Sequence, residues 1–300
     1  MHARFEIVLY GASDERLRAA GEGALDEIER VDERLSFYRP ESDISGINAY
    51  AADWPVKVEA RVFGLLQTAR RIWIETGGAF DITVGPLLRA WGFVGGEGHE
   101  PDPLELEKAR SVTGMQHVVL DEAALTVAFD LEGVEINLGA IGKGLAVEAA
   151  ADFLRECGVE SALVHGGTSS IAAIGGPPDE DGWRICIQHP TEPDGQLAVV
   201  DLRDASLSVS APHGKSFELD QRTMGHILDP RTGTPATGSV IAAVVCSSAT
   251  EGDAYSTGLL VMGPDGAAGL AERRPDLLLL VAALDSERSL LIKSIGSAWA

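Results

Sequence analysis

Residues Thr76 to Phe93 read TGGAFDITVGPLLRAWGF, and no simple secondary-structure element explains this stretch. Gly77 and Gly78 have no Cβ, so the main chain can come close to another group there. Asp81 and Thr83 then supply an acceptor and a donor side by side. The segment therefore predicts a backbone that is held against a ligand. The alternative is a helix C-cap followed by a turn.

The apolar periodicity on either side of this stretch predicts an α+β fold. Helices and strands do not follow a strict βαβ order, and the second half consists mostly of strands. We expect a strand at residues 4–10, helices at 14–35 and 62–76, a hairpin at 116–130, a strand at 134–138, and helices ending near 157, at 251–261 and at 266–273. No long Pro/Gly/Ser linker occurs, so residues 1–300 are expected to form a single domain.

The composition restricts the possible partners. The chain has 46 acidic and 24 basic residues, which give a net charge of -22. The basic residues form no cluster, so we expect no nucleic-acid partner. An anionic ligand would need local help from a metal ion or from helix N-termini.

The cysteine and leader patterns indicate a soluble chain from a reducing compartment. The three cysteines are scattered and have no C-x-x-C spacing, so neither a zinc site nor a disulfide framework is expected. The first thirty residues contain no apolar signal-peptide core. No run approaches the roughly 20 apolar residues of a membrane span.

The segment NLGAIGKGLA begins at Asn137 and resembles a phosphate-binding loop without being a Walker A motif. Asn137 and Gly144 stand where that motif needs a glycine and a Ser or Thr. What remains is a glycine-rich helix start with Lys143 in its first turn, which suits a phosphate. The alternative is a solvated lysine.

The segment EGDAYSTGLLVMG, from Glu251 to Gly263, predicts a helix with oxygen donors on one face. Asp253 and Thr257 are four residues apart, so both side chains lie on the same side. One carboxylate and one hydroxyl are typical of Mg²⁺, which keeps several waters. Alternatively, Asp253 is only a cap or a partner of the helix dipole.

A histidine precedes a turn in GHILDPRTGTPA, residues 225–236. The Asp-Pro-Arg-Thr-Gly sequence predicts a rigid turn, which would fix His226 at the end of a short strand. His226 is a candidate general base, and His165 competes for that role. A surface or hydrogen-bonded structural histidine is the alternative. No nucleophile elbow indicates a covalent enzyme intermediate.

Taken together, these segments resemble the ApbE family of flavin transferases over nearly the whole chain. The matching segments, in order, are LSFYRPESDISGIN, GGAFDITVGPL with the later WGF, INLGAIGKGLAVEAAADFL, ALVHGGTSSI, GHILDPRTGTP and EGDAYSTGLLVMG. The resemblance implies a T-fold-like α+β unit with mixed or antiparallel sheets flanked by helices.

The resemblance also implies an activity and its site. The chain would move FMN from FAD to a threonine hydroxyl of an acceptor flavoprotein, such as a subunit of a membrane redox complex, and release AMP. His226 would accept the threonine proton. The implied FAD contacts are Met1, Tyr38, Ala79, Phe80, Asp81, Asn137, Lys143 and Leu228, and the implied Mg²⁺ ligands are the Ala140 carbonyl, Asp253 and Thr257.

Two other functions stay open at this point. Water in place of the threonine would make the chain an FAD pyrophosphatase that yields FMN and AMP, and loss of catalysis would leave a non-catalytic FAD-binding protein. The chain departs from the family pattern at Met1-His2-Ala3, at Asn137, at His165–Thr168 and at Val209-Ser210-Ala211. Many relatives are exported lipoproteins, so a cytoplasmic chain or one whose leader was removed is expected.

Overall fold

The computed structural model describes residues 3–11, 13–192, 194–212, 216–219, 222–287 and 289–299. These residues combine helices with antiparallel sheets, so the predicted α+β class is confirmed. Two compact units are present. The first comprises Met1–Asp32, Ile141–Ser210 and Ser239–Ala300, and the second Glu33–Ala140 and Ala211–Gly238. The single-domain expectation stays a prediction.

Seven α-helices lie in the described part of the chain. They are α1 (Asp14–Leu35), α2 (Asp43–Tyr50), α3 (Ala60–Glu75), α4 (Gly85–Ala90), α5 (Pro103–Ser111), α6 (Gly142–Glu156) and α7 (Ala249–Arg273). Helix α7 is kinked at Gly263, where φ is 69°, just before Pro264. This kink separates the helices predicted at 251–261 and 266–273. Among the described helices, none combines the length and apolarity that crossing a membrane requires.

The described strands are mostly short and pair antiparallel. They are β1 (Phe5–Tyr10), β2 (Val56–Lys57), β3 (Val118–Asp121), β4 (Thr126–Phe129), β5 (Ser161–Gly166), β6 (Ser170–Ile174), β7 (Trp183–Gln188), β8 (Gln196–Leu202), β9 (Ser206–Ser210), β10 (Ser216–Leu219), β11 (Arg222–Gly225), β12 (Leu228–Asp229), β13 (Thr234–Pro235), β14 (Ser239–Cys246), β15 (Leu278–Leu284) and β16 (Leu290–Ile295). The predicted 116–130 hairpin is confirmed by β3 and β4.

The first unit is built on a seven-stranded sheet in the order β1-β5-β6-β9-β14-β15-β16. Helix α6 packs against β5 and β6, while α7 packs against β9, β14, β15 and α6. Strands β7 and β8 form a separate hairpin whose apolar residues join the core of the sheet. The central strands are therefore covered by the two helices that carry the predicted phosphate and metal residues.

A glycine sets how closely α6 and α7 approach each other. A Cβ at Gly144 would lie 2.2 Å from the carbonyl oxygen of Ala249 and 2.8 Å from the Cβ of Asp253. Real Cβ atoms do not come this close to backbone, so only glycine fits without movement of a helix. Gly144 thus allows the first turns of both helices to meet.

The second unit contains helices α2 to α5, the β2-β4-β3 sheet and the two-stranded pairs β10-β11 and β12-β13. One of its apolar clusters joins Leu87, Trp91 and Phe93, from the end of the opening segment, to Leu228 and Phe217. The indole nitrogen of Trp91 also donates to the carbonyl oxygen of Gly233 at 2.7 Å. The WGF sequence therefore packs against the segment that carries His226.

The strand predicted at 134–138 is wrong. Its apolar side chains are buried, as the alternation indicated, but only Glu135 makes a bridge, to Val84. The side chain of Asn48 takes the place of a neighbouring strand. Its Oδ1 accepts from the Ile136 N–H at 2.7 Å, and its Nδ2 donates to the Ile136 carbonyl oxygen at 2.9 Å.

Candidate functional site

The glycine pair of the opening segment ends helix α3. Gly77 and Gly78 have φ values of 60° and 79°, and the Gly78 N–H donates to the carbonyl oxygen of Trp73 at 2.9 Å. This left-handed backbone and its hydrogen bond are features of a helix C-cap. The C-cap interpretation therefore accounts for the two glycines, while contact with a ligand stays a prediction.

The Asp81 carboxylate accepts hydrogen bonds from nearby protein groups. Its Oδ1 accepts from the backbone N–H of Thr83 at 2.7 Å and from the Thr83 hydroxyl at 2.6 Å, and its Oδ2 accepts from the Met115 N–H at 3.2 Å. Burial raises the pKa of the Asp81 carboxyl, and the bonds from Thr83, Met115 and Trp73 only partly offset this. The carboxylate is thus occupied by internal hydrogen bonds.

The other predicted FAD contacts of the second unit differ in exposure. Ala79 and Phe80 are 1% exposed, and Leu228 lies in the apolar cluster described above. Tyr38, in contrast, is 61% exposed. An exposed aromatic face suits a flat ring system. The prediction for Met1 falls outside the described residues.

Tyr38 is braced by side chains that the sequence analysis did not identify. The ring of Phe37 meets the Tyr38 ring edge-on, with 5.3 Å between centroids. The Arg89 guanidinium lies 5.4 Å from the centre of the Phe37 ring and donates to the Glu135 carboxylate at 2.6 and 2.7 Å. These residues come from three separate stretches of the chain, so no local sequence pattern could have predicted these contacts around Tyr38.

Asn137 and Ala140 lie in the second unit, on the segment that precedes α6. The Asn137 side-chain oxygen accepts from the Gly139 N–H at 2.9 Å, and the Asn137 N–H donates to the Ile82 carbonyl oxygen at 2.7 Å. Asn137 therefore shapes the turn that leads to Ala140, and Ala140 itself is half-buried.

His226 lies between β11 and β12 and is half-buried. Its imidazole meets the Phe93 ring at 72°, with 6.5 Å between ring centres. The predicted turn that follows is present, because the N–H groups of Thr232 and Gly233 donate to the Asp229 carbonyl oxygen at 3.2 and 2.8 Å. The Arg231 guanidinium also binds the Asp229 carboxylate through two bonds of 2.8 Å. His226 therefore lies beside the Phe93 ring and directly before a turn held by hydrogen bonds.

The competing histidine has a different environment. In the first unit, His165 Nε2 lies 3.2 Å from a Glu6 carboxylate oxygen, and its Nδ1 lies 3.1 Å from the Gly167 carbonyl oxygen. Both ring nitrogens thus have partners on paired strands or their connecting turn. This arrangement favours a structural role for His165.

An open groove in the second unit has a volume of about 720 Å³. It lies between the ends of α3 and α5, residues 113–116 and the 230–231 turn. Gly77, Gly78 and Asp81 form part of its wall, and Arg110 and Arg231 place guanidinium groups along it. The glycine-rich segment thus borders a cleft of the size that small ligands occupy.

Asp253, in the first unit, is buried and contacts several polar groups. Its Oδ2 accepts from the Gly144 N–H at 3.0 Å, while its Oδ1 accepts from the Ser170 hydroxyl at 3.1 Å and lies 3.5 Å from Lys143 Nζ. The predicted phosphate-binding lysine and the predicted metal-binding carboxylate are therefore neighbours.

Thr257 lies one helical turn beyond Asp253. Its hydroxyl donates to the Asp253 carbonyl oxygen at 3.2 Å and lies 3.2 Å from the Ser210 hydroxyl. Two hard oxygen donors on one helix face fit Mg²⁺, which needs few protein ligands. Within the described residues, no three His, Cys, Asp or Glu side chains converge as a metal cluster.

Comparison with known proteins identifies relatives across most of the chain. A sequence model described as the ApbE family matches residues 1–281. The FAD:protein FMN transferase of Vibrio cholerae serotype O1 is 31% identical over 267 residues, which cover 86% of this chain and 78% of the relative. The FAD:protein FMN transferase of Escherichia coli K12 is 31% identical over 258 residues, with coverage of 82% and 72%.

Solved structures show the same likeness. The ApbE protein of Thermotoga maritima superposes with a TM-score of 0.84 at 28% identity and covers 96% of each chain. The flavin transferase ApbE of Vibrio cholerae gives a TM-score of 0.83 at 27% identity, over 99% of this chain and 95% of that protein.

Proposed function

The chain belongs to the ApbE family, and from that premise we propose that it is a Mg²⁺-dependent FAD:protein FMN transferase. It transfers FMN from FAD to a threonine hydroxyl of an acceptor flavoprotein and releases AMP. The enzyme class predicted from the sequence, a transferase, is confirmed by the names of the relatives.

The observation that carries the proposal is the meeting of Lys143 and Asp253 where α6 and α7 begin. Ile141, the N-cap of α6, supplies no side-chain hydrogen bond, and the first turn of α6 contains no acidic residue. The Gly144 N–H of this turn already donates to Asp253, and the helix dipole with the N–H groups before Gly144 would attract an anion. Lys143 adds a positive charge, and Asp253 with Thr257 adds oxygen ligands for a cation. A metal–diphosphate is the ligand that uses both.

The residues would hold the substrate and metal as follows. Asp253 and Thr257 would supply side-chain oxygens to Mg²⁺, and the Ala140 carbonyl is proposed from the family resemblance. When bound, Mg²⁺ would neutralise charge on the diphosphate and on the departing AMP. Because Ala79 and Phe80 are 1% exposed and the Asp81 carboxylate is occupied internally, the FAD contacts of residues 79–81 are proposed from the family resemblance. Tyr38 would stack on a ring of the substrate.

The transfer needs one proton acceptor. The threonine oxygen attacks the phosphorus of the FMN half, a new O–P bond forms, and the bond from that phosphorus to the AMP oxygen breaks. His226 accepts the proton of the threonine hydroxyl. Phe93 lies edge-to-face beside the imidazole, and the Asp229–Arg231 hydrogen bond supports the turn that follows it.

Incubation with FAD and Mg²⁺, with and without an acceptor flavoprotein, tests the proposal. Mass spectrometry of the acceptor should show a mass gain equal to an FMN phosphoester, and chromatography should show AMP. Free FMN and AMP without acceptor labelling would instead establish an FAD pyrophosphatase. Intact bound FAD would establish a non-catalytic FAD-binding protein.

A further inference from the structure

Strand β9 turns a row of serines toward the interior of the first unit. Ser206, Ser208 and Ser210 alternate along the strand, so their side chains lie on one face. Their exposures are 3%, 0% and 9%. Buried strand faces are usually apolar, so three buried serines on one face are unusual and need a physical explanation.

The serine row lies beneath the part of α7 that carries Asp253 and Thr257. A Cβ at Gly252 would lie 3.0 Å from the Ser208 hydroxyl, so small residues on both elements bring the helix close to the strand. Ser208 Oγ is buried and makes no hydrogen bond within the described structure. Its small size, and not its hydroxyl, explains its place in the row.

Ser210 has polar contacts with α7 itself. Its hydroxyl lies 2.9 Å from Ser256 Oγ and 3.2 Å from Thr257 Oγ1. Ser256 and Thr257 both donate to the Asp253 carbonyl oxygen, at 3.0 and 3.2 Å. Each hydroxyl has a single proton, so the Ser210 proton goes to one of these two oxygens. Because the Thr257 proton goes to the helix backbone, Thr257 Oγ1 keeps at least one lone pair for a cation in either case.

Ser170, on the neighbouring strand β6, contacts the Asp253 carboxylate. It lies opposite Ser208 in the β6–β9 pair, is fully buried, and donates to Asp253 Oδ1 at 3.1 Å. The Gly144 N–H holds the other carboxylate oxygen. Asp253 is thus fixed at both oxygens before any ligand is added.

We propose that Ser170 and Ser210 are positioning residues that orient Asp253 and Thr257 for Mg²⁺. The inference rests on the proposed function, because that function makes these two side chains metal ligands. Ligands held in place by a second layer of hydrogen bonds bind metal more tightly, and removal of such a partner typically weakens affinity about 10- to 100-fold.

The test is calorimetric titration of the chain with Mg²⁺ at saturating FAD. Ser170→Ala and Ser210→Ala should each weaken Mg²⁺ affinity about 10- to 100-fold, and Ser210→Thr should restore most of it. Affinity for FAD measured in EDTA should not change. Ser206→Ala is the matched control, since Ser206 is a buried serine on the same face of β9 whose neighbours across the sheet are Ala172 and Cys246.

Each result decides the inference. Wild-type Mg²⁺ affinity in both alanine variants, with normal Mg²⁺ dependence of the parent chain, overturns the inference and leaves the proposed function intact. Failure of the parent chain to bind Mg²⁺ overturns the metal part of the proposed function and this inference with it. If an alanine variant does not fold, Ser170→Cys and Ser210→Cys keep the shape of the side chain and replace the hydroxyl by the weak donor of a thiol, so Mg²⁺ affinity should still decrease.

Discussion

At the residue scale, His226 is the proposed general base. It is half-buried, and its ring is set against Phe93. We expect His226→Ala to lower FMN transfer by about 10²- to 10⁴-fold, the usual contribution of a positioned general base. FAD affinity should change little, because the histidine acts on the threonine. Mass spectrometry of the acceptor measures transfer, His165→Ala is the control, and undiminished transfer by His226→Ala would rule out this role.

Also at the residue scale, the buried Asp81 carboxyl should make the stability of the chain depend on pH. Burial raises the pKa of its carboxyl above the ordinary value of 3.8, so the folded chain binds this proton more tightly than the unfolded chain. The corresponding stability is fully present below pH 3.8 and is lost as pH rises through the folded-state pKa. Urea unfolding should therefore show a steeper decrease of unfolding free energy above pH 3.8 in the parent chain than in Asp81→Asn.

Asp81→Asn should also be less stable than the parent chain below pH 3.8, where the Asp81 carboxyl is protonated. Both carboxyl oxygens can accept hydrogen bonds, whereas the amide keeps one acceptor oxygen and its NH₂ would face the Met115 N–H or the Thr83 donors. An unsatisfied buried donor costs about 1–3 kcal/mol. If the pH profiles of the two proteins run parallel, Asp81 does not titrate differently on folding.

At the element scale, the contact between α6 and α7 decides where Asp253 lies. Gly144→Ala puts a Cβ 2.2 Å from a backbone oxygen, so the helices must separate, at a cost of about 1–3 kcal/mol. Mg²⁺ affinity should decrease in the same variant, because Asp253 Oδ2 accepts from the Gly144 N–H. Thermal melting and calorimetry measure both effects.

Gly64→Ala is the matched control for this substitution. Gly64 also lies in a helix, and a Cβ there would meet nothing within 4 Å. Alanine should raise stability by about 0.4–1 kcal/mol at such a site. Equal effects of the two substitutions would mean that the helix contact does not require glycine.

At the scale of the whole molecule, removal of metal should stop the reaction without unfolding the chain. The Asp253 carboxylate is bonded to Gly144 and Ser170 and lies near Lys143, so protein groups already offset its burial. We expect EDTA to abolish FMN transfer, Mg²⁺ to restore it, and circular dichroism to stay constant throughout. Loss of structure in EDTA would show that the metal has a structural role.

The sequence by itself determined the α+β class, the bounds of α1, the positions of β1 and of the β3–β4 hairpin, and the family. These follow from local periodicity and from contiguous motifs, which are properties of neighbouring residues. It also placed Asp253 and Thr257 on one helix face, because four residues make about one turn.

Only the tertiary structure decided which groups satisfy one another. Asn48 replaces a strand beside Ile136, the Asp81 carboxylate is occupied by hydrogen bonds inside its own unit, and Ser170 reaches Asp253. In the first and last of these pairs, the partners are far apart along the chain. Their pairing depends on packing and on the need to satisfy buried polar atoms, and neither leaves a periodic signal in the sequence.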